Sequence, residues 1–311
     1  MRTIFISIIL SFVVCNVSNV FCADDDAIKK WLEKQPIKAG EKTTERVLTN
    51  ITVRNLRDNR EEETVFAYSG TTLMHLAAAD GRVDVMKWLM AQGEDINSKA
   101  DHKEMPMYWA AMRGCLETMK WLKEQGADIN AENGEGLTPI HNSIVLNHIE
   151  AMKWLKEQGA NIDELAMPLA AMCGHLEAMK WLKEQGADIN VKIEGAGAPL
   201  HFAALNGHIE AMKWLKDQGA DLNAKCEQDS TPIHSAAMNG HLEAMKWLKD
   251  QGLDINAKMS DGKTPLDVAN MALERFANHD DDDDDDYERL VRESLTQAIE
   301  WLKENGAVTG N

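Results

Sequence analysis

The most regular hydrophobic pattern in the chain is the segment GHIEAMKWLKDQGADLN, which begins at Gly207. Within it Ile209, Met212 and Leu215 recur at intervals of three residues, a spacing that places them on one helical face. Lysines and acids fill the other positions and predict a solvated outer face. Gly219 suits the left-handed backbone that ends a helix. The pattern therefore predicts an amphipathic helix that stops at a glycine and leads into a turn.

Near-identical copies of this segment occur throughout the chain. They begin at Gly81, Gly114, Asn147, Gly174 and Gly240. The tryptophans of consecutive copies are 33 residues apart, except between Trp154 and Trp181, where the interval is 27. A fixed period of this length indicates an array of stacked structural repeats.

A shorter helix is predicted before each copy of the long one. Thr138-Pro139, Ala198-Pro199, Thr231-Pro232 and Thr264-Pro265 open these segments. Threonine accepts hydrogen bonds at a helix N-cap, and proline fits the first helical position because it needs no N–H there. Pairs of alanines follow, and their small side chains allow neighbouring helices to approach closely. Each repeat is thus predicted to contain a turn, a short inner helix and a longer outer helix.

These motifs resemble those of the ankyrin repeat, in which T-P-L-H-x-A opens the first helix and G-H-x-E…L…G-A-D-x-N spans the second. The resemblance covers about Gly70–Val308. It implies an all-α solenoid of about seven stacked helix-turn-helix repeats joined by short hairpins. We predict a signal peptide at 1–22, an N-terminal cap region at 23–69 and six repeats at 70–261. A C-terminal capping repeat is predicted at 262–311, with an acidic insertion at 279–287.

Two repeats depart from the pattern. The turn before the fourth repeat lacks six residues, so its hairpin tip is predicted to be missing. The last repeat contains Asp280–Asp286, seven consecutive acids that predict a solvated loop. Near the N terminus, Asp26–Gln35 echoes the Lys-Trp-Leu of the outer helix and is interpreted as part of a cap. Glu45–Leu56 fits helical and strand spacing equally well.

The first 22 residues have the form of a secretory signal peptide. Arg2 precedes the apolar run Ile4–Val14, which is too short to span a bilayer, and Val20 and Cys22 suit a cleavage site before Ala23. We therefore expect a secreted or periplasmic protein. No later stretch is apolar enough to hold the chain in a membrane.

The charge balance excludes some partners. The chain has 33 basic and 51 acidic residues, a net charge of −18, and loss of Arg2 with the signal peptide makes it −19. Such a chain repels nucleic-acid phosphates and anionic membranes. Cys115, Cys173 and Cys226 remain after cleavage and lie two repeats apart, beyond the reach of a disulfide, so no intrachain bridge is expected.

No constellation in the sequence predicts catalysis. The recurring His-x-Glu pairs lack the second histidine one turn away that a zinc hydrolase needs, and the ankyrin resemblance assigns these histidines to hydrogen bonds between turns. No serine or cysteine nucleophile is placed with a base and an acid. We expect no enzyme activity, no cofactor and no metal centre. The tryptophans of the outer helices are expected to pack, with one edge wet.

The ankyrin resemblance implies partner binding on the concave face and at the hairpin tips. An apolar stripe is predicted there because inner-helix positions repeat methionine, leucine and aromatic residues, which interfaces favour. The predicted partner-binding residues are Trp109, Met112, Arg113, Leu146, Met172, Phe202, Leu205 and Met238. A polar, mostly acidic rim is predicted at His102, Glu104, Glu135, Glu227, Gln228 and Asp261. Packing between repeats is the alternative role for the stripe.

The sequence therefore predicts an exported, monomeric, non-catalytic scaffold that binds a protein. An acidic rim around an apolar stripe favours a partner with a basic segment and an apolar anchor. Three alternatives remain open: an exported effector that engages a host protein, an accessory or chaperone-like protector of an enzyme, and weak metal binding by the acidic insertion.

Overall fold

The computed structural model describes the backbone of residues 47–54, 61–68, 70–277 and 286–310, and side chains from 70 to 275 and from 289 to 310. The chain divides into two compact units, residues 1–162 and residues 163–311. The signal peptide, the Asp26–Gln35 cap and most of the acidic insertion lie outside the described residues.

The first unit contains a two-stranded sheet and three helix pairs. Its strands are β1 (Val47–Arg54) and β2 (Glu61–Tyr68). Its helices are α1 (Leu73–Ala79), α2 (Val83–Ala91), α3 (Pro106–Met112), α4 (Leu116–Glu124), α5 (Pro139–Val145) and α6 (Ile149–Glu157). The strands pair antiparallel, with Val47 opposite Tyr68. The segment that fitted helix and strand equally well thus contains a strand.

The second unit contains four helix pairs. They are α7 (Ala166–Met172), α8 (Leu176–Glu184), α9 (Pro199–Leu205), α10 (Ile209–Asp217), α11 (Pro232–Met238), α12 (Leu242–Asp250), α13 (Pro265–Ala277) and α14 (Asp286–Glu304). A short 3-10 turn at Glu227–Asp229 lies in one hairpin. The predicted all-α repeat architecture is confirmed, and each repeat places a seven-residue inner helix before a nine-residue outer helix except in the last.

The core of each unit is built from the predicted apolar face of the outer helices and from the inner helices. In α10, Met212 and Leu215 are fully buried, while Ile209, at the start of the helix, is half-buried. The same two core positions are fully buried in the other copies, from Met86 and Leu89 to Met245 and Leu248. This repeated apolar face is what ties one helix pair to the next.

The outside of the outer helices carries paired charges. Lys120 contacts Glu117 at 2.7 Å, and the same pairing three residues apart recurs at Lys213–Glu210 and Lys246–Glu243. Exposed pairs of this kind contribute little stability each. The tryptophans of these helices are half-buried, apart from the buried Trp121. Their partial burial agrees with the packing role expected from the sequence.

The fourth repeat enters its inner helix directly from the preceding turn. The Asp163 carboxylate accepts the Leu165 N–H at 2.9 Å, and its carbonyl accepts the Ala166 N–H at 3.3 Å. Pro168 occupies the third position of α7, where α9 has His201. The hairpin tip expected to be missing is indeed absent from this part of the described chain, because helix α7 begins three residues after Asp163.

Residues 307–310 complete the last repeat by running alongside its hairpin. Thr264 donates its hydroxyl to the Val308 carbonyl at 2.8 Å, and Asp267 accepts the Gly310 N–H at 2.7 Å. The Val308 N–H in turn donates to the Asn256 side chain at 2.8 Å. Burial opposes ionisation of Asp267, but the hydrogen bonds from Gly310 and Thr264 outweigh it and lower the pKa of its carboxyl. These four residues therefore form the turn that ends the last repeat, at the register of residues 220–223 in the fifth repeat.

Candidate partner-binding surface

The inner helices bury much of the stripe that the sequence predicted to be exposed. Trp109 is 2% exposed, and Met172 and Phe202 are equally buried. Leu76 and Leu169, at the same register as Trp109 and Phe202, are buried too. The expected exposure of these positions is therefore wrong. A seven-residue helix that packs against its own outer helix and against the inner helices beside it keeps few faces open, and large side chains fill the gaps between repeats.

The remaining members of the predicted stripe stay accessible at the last turn of each inner helix. In the first unit, Met112, Arg113 and Leu146 are half-buried. In the second unit, Leu205 is half-buried and Met238 is 46% exposed. The accessible apolar surface is thus a narrow row on each unit rather than a broad groove floor.

The row on the second unit extends one repeat further than predicted. Met271 lies 33 residues after Met238, in helix α13, and is 38% exposed. The 33-residue period is enough to identify this position. It was not predicted because α13 is longer than the other inner helices and its repeat contains the acidic insertion. Met271 borders an open cleft of about 540 Å³ that Asp261, Asp267 and Glu274 also line. Exposed methionine is therefore bordered by carboxylates at this end of the unit.

The hairpin tips supply most of the predicted polar rim. His102, Glu227, Gln228 and Asp261 are exposed, and Glu135 is half-buried. Glu104 is an exception, because its side chain is only 6% exposed. The placement of Glu104 on a solvated rim is therefore wrong. Its backbone pairs across the hairpin, and this pairing turns the side chain into the space between two tips.

One set of histidines holds each inner helix to the hairpin beside it. The Nδ1 of His75 accepts the Thr72 N–H at 3.2 Å, and its Nε2 donates to the Glu104 carbonyl of the next repeat at 3.1 Å. His201 and His234 make the same two kinds of bond. Because Nδ1 accepts, the proton of the neutral ring must lie on Nε2. Burial lowers the pKa of His201 and of His234, which favours this neutral form.

A second set of histidines, one before each outer helix, ties a repeat to the one that precedes it. His148 donates from Nε2 to the Met112 carbonyl at 3.1 Å, and His208 donates to the Met172 carbonyl at 2.9 Å. Burial lowers the pKa of both rings. In the second repeat a cysteine stands at this register, and the Cys115 thiol donates to the Ala79 carbonyl at 3.4 Å. The structural role expected of the histidines is confirmed at these positions.

The asparagine that ends each motif also links neighbouring repeats. Asn190 donates its side-chain amide to the Gly219 carbonyl at 3.2 Å and accepts the Asp221 N–H at 3.0 Å. Asn130 makes the same pair of bonds to the repeat that follows it. The recurring Gly-Ala-Asp-x-Asn text is therefore explained by hydrogen bonding between turns.

The described residues offer little reactive chemistry. Burial raises the pKa of the Cys173 thiol to about 12 and also raises that of Cys226, so neither is an activated nucleophile. Cys115, Cys173 and Cys226 are all unbridged. Across the described ranges, no group of three or more His, Cys, Asp or Glu side chains is arranged to hold a metal ion. None of the helices described is long and apolar enough to cross a membrane.

Together, the period, the paired helices and the links between turns define a helical repeat solenoid. The family model for ankyrin repeats in three copies matches residues 39–133, 74–165, 107–193 and 200–276. These matches cover most of the chain, which therefore belongs to the ankyrin-repeat family. A search of curated proteins found no match. Among solved structures, the human ASB11 ankyrin repeat domain is similar, with 26% identity, a TM-score of 0.55, and coverage of 73% of this chain and 98% of that one. Ankyrin repeats indicate a scaffold for protein–protein interaction.

Proposed function

We propose that the chain binds a protein partner through the accessible ends of its inner helices and the tips beside them. The main support for this proposal is the exposure of Met238 and Met271 at the same register of consecutive repeats. Apolar side chains aligned on a protein surface usually mark an interaction site. Methionine is also enriched where interfaces are buried.

The partner we propose presents a basic segment with an apolar anchor. Asp261 and Glu274 are exposed beside Met271, and the neighbouring tip adds the exposed Glu227. The chain as a whole carries a net charge of −18. Opposite charges on a partner would speed association and select against acidic proteins.

The test is capture of a partner by the full chain and by the variant Met238→Glu/Met271→Glu. The matched control is Gln125→Glu/Gln185→Glu, which adds the same charge at exposed positions directly after the outer helices α4 and α8. We expect the methionine variant to lose the captured protein and the control to keep it, with circular dichroism unchanged in both. Equal capture by all three chains would overturn the assignment. Binding of a basic partner should also weaken as salt rises from about 50 to 300 mM.

We also propose that the protein acts after export to the extracellular space or the periplasm. The support is the form of residues 1–22 and the small residues before Ala23. Expression of the full chain in a secretion-competent host, followed by N-terminal sequencing, tests this. We expect the exported protein to begin at Ala23, whereas retention of Met1 in the exported or cell-associated protein would contradict cleavage.

A further inference from the structure

Glu104 occupies a position in the second hairpin that is closed off from water. The Ala100 N–H donates to the Glu104 carbonyl at 2.9 Å, and the same backbone bond closes the hairpins of four other repeats. The residues equivalent to Glu104 are Leu137, Gly197, Ser230 and Lys263. In the very next repeat this position holds a leucine that is 4% exposed. A glutamate that is 6% exposed is therefore out of keeping with its site.

The carboxyl group of Glu104 is incompletely satisfied. Its Oε2 is buried and has no hydrogen-bond partner among the described residues. The narrow space beside it is lined by residues such as Met107, Tyr108 and Pro139 and has no room for a water molecule. The backbone N–H groups of Glu104 and His102 bond to the carboxyl group and favour its ionised form, but the loss of hydration on burial outweighs them. This environment consequently favours the protonated acid.

The charges around this carboxyl group come from two hairpin tips. His102 and Lys103 lie on its own tip, and His102 attracts the ionised form. Glu135 on the next tip repels it, which adds to the effect of burial. From α3, Tyr108 lines the same space, and its hydroxyl accepts the amide of Asn133 at 3.1 Å. Burial, followed by Glu135, raises the pKa of Glu104 above 4.5.

The backbone at Glu104 is also a junction between repeats. Its carbonyl accepts both the Ala100 N–H and the Nε2–H of His75, at 2.9 and 3.1 Å. The carbonyl of His102 accepts the N–H of Gly134 on the next tip. A movement that carried the Glu104 side chain into water would therefore disturb bonds to the repeats on both sides.

We propose that Glu104 is a pH-operated latch on the second hairpin tip. The protonated side chain stays in the space between the tips and keeps the hairpin docked. Ionisation draws the side chain into water, weakens the Ala100 and His75 bonds to its carbonyl, and releases the tip. The rim formed by residues 101–104 is thus ordered in acid and mobile toward neutral pH.

The pH window follows from the direction of the shift. The docked state holds the proton more tightly than an exposed glutamate, so docking is fully favoured below pH 4.5. As the pH rises from 4.5 to the raised pKa of Glu104, the ratio of docked to released hairpin tips falls about tenfold per pH unit. Above the raised pKa of Glu104, the ratio of docked to released tips falls no further.

Hydrogen exchange of backbone amides in the full chain tests the latch between pH 4 and 8. The readout is protection of the Ala100 amide divided by protection of the Cys226 amide, which closes the equivalent hairpin onto Ser230 at 2.9 Å. This ratio removes the intrinsic pH dependence of exchange and any change in global stability. For the parent chain we expect the ratio to fall by about tenfold per pH unit within the window.

Two substitutions separate the latch from a merely structural residue. Glu104→Gln and Glu104→Leu, the latter copying Leu137, should both keep the ratio flat from pH 4 to 8. Glu135→Gln removes the carboxylate that repels Glu104. In this variant the protection ratio should stop falling at a lower pH than in the parent chain. A flat ratio in the parent, or an unchanged pH dependence in either Glu104 variant, would overturn the proposal.

Discussion

Thr118 shows how a single side chain can conflict with its place in a repeat. It is 1% exposed in α4, and its hydroxyl has no hydrogen-bond partner among the residues described. The same register holds alanine in α6, α8, α10 and α12, at Ala151, Ala178, Ala211 and Ala244. The four alanine copies indicate that a methyl group fills this site fully.

Thr118→Ala is expected to raise the free energy of unfolding by about 1 kcal/mol, because it removes a buried unpaired hydroxyl and favours the helix. The converse change, Ala178→Thr, should lower it by a similar amount. Urea denaturation of the three chains measures both effects. A loss of stability on Thr118→Ala would show that the hydroxyl has a partner after all.

Gly114 has to be a glycine for two reasons, the positive φ of its backbone and the close approach of the His148 ring. Its φ is +64°, and a Cβ built on it would lie 2.7 Å from the Nδ1 of His148. Gly126 also has a positive φ, +90°, but nothing lies within 4 Å of its added Cβ. The two glycines therefore separate backbone strain from a side-chain clash.

We expect Gly126→Ala to destabilise the chain by about 1 kcal/mol from backbone strain alone. Gly114→Ala should cost at least about 1 kcal/mol more, since the ring of His148 must shift and its bond to Met112 is disturbed. In a His148→Ala background, Gly114→Ala should cost no more than Gly126→Ala does in the parent, and thermal denaturation of the parent and the four variants measures this. Equal costs for the two glycine variants would argue against the close contact.

At the scale of residues, the sequence predicted roles better than exposures. The Thr-Pro starts and the stop at each glycine follow from local chemistry, the histidine hydrogen bonds were implied by the ankyrin resemblance, and the structure contains all three. Burial of Trp109 and Phe202 could not be predicted, because it depends on how closely two inner helices approach. Glu104 was misplaced for a related reason, since its neighbours in sequence are exposed but its hairpin bond turns it inward.

At the scale of elements, the second repeat is linked to its predecessor by a thiol where other repeats use an imidazole. Helices α6 and α10 each follow a histidine that donates to the preceding repeat. Helix α4 instead follows Cys115, a poorer donor that lies 3.4 Å from the Ala79 carbonyl. Gly81 lies opposite, and a Cβ on it would come only within 3.5 Å of the cysteine sulfur. There is accordingly more room here than at the histidine-bearing junctions.

Cys115→His is expected to stabilise the first two repeats by about 1 kcal/mol, because imidazole forms a stronger hydrogen bond than a thiol to the same carbonyl. Cys115→Ser is the control for removal of the sulfur atom, and it should not stabilise the first two repeats. Hydrogen exchange of the α1 and α2 amides provides the local measurement. No added protection in the histidine variant would mean that the ring does not reach Ala79.

The elements themselves were largely predictable, except for the two strands and the length of α13. The outer helices follow from a spacing repeated six times, and the proline starts define most inner helices. The strand β1 was not distinguishable from a helix, because Val, Leu and Ile there fit both periods. The length of α13 was not predicted either, since its extension past Met271 replaces the usual glycine turn with Leu273–Ala277.

At the scale of the whole molecule, buried histidines make stability depend on pH. Burial lowers the pKa of His148, His201, His208 and His234 below 6.5. The unfolded chain therefore binds more protons than the folded one as pH drops below 6.5. Stability is fully present above that pH and falls until the lowered pKa values are passed.

Between pH 6.5 and its lowered pKa, each of these histidines should reduce the free energy of unfolding by up to about 1.4 kcal/mol per pH unit as the pH falls. Protonation of Glu104 acts in the opposite direction and offsets part of the loss. Urea titrations at pH 7.5, 6.5 and 5.5 measure the slope. His208→Gln should reduce this slope by the contribution of one histidine. A slope unchanged by His208→Gln would contradict the role of burial.

The segment 307–310 bears on how long such an array can grow. A stack of like repeats is a linear polymer in which every unit offers the next one the same donors and acceptors. Inside the stack this link comes from the asparagine four residues after the glycine that ends the outer helix, such as Asn190 or Asn256, whose side chain holds the turn of the next repeat. Gly310 stands at that position in the last repeat and has no side chain to offer. The segment therefore acts as a chain terminator, because a further repeat would find no asparagine to hold its turn.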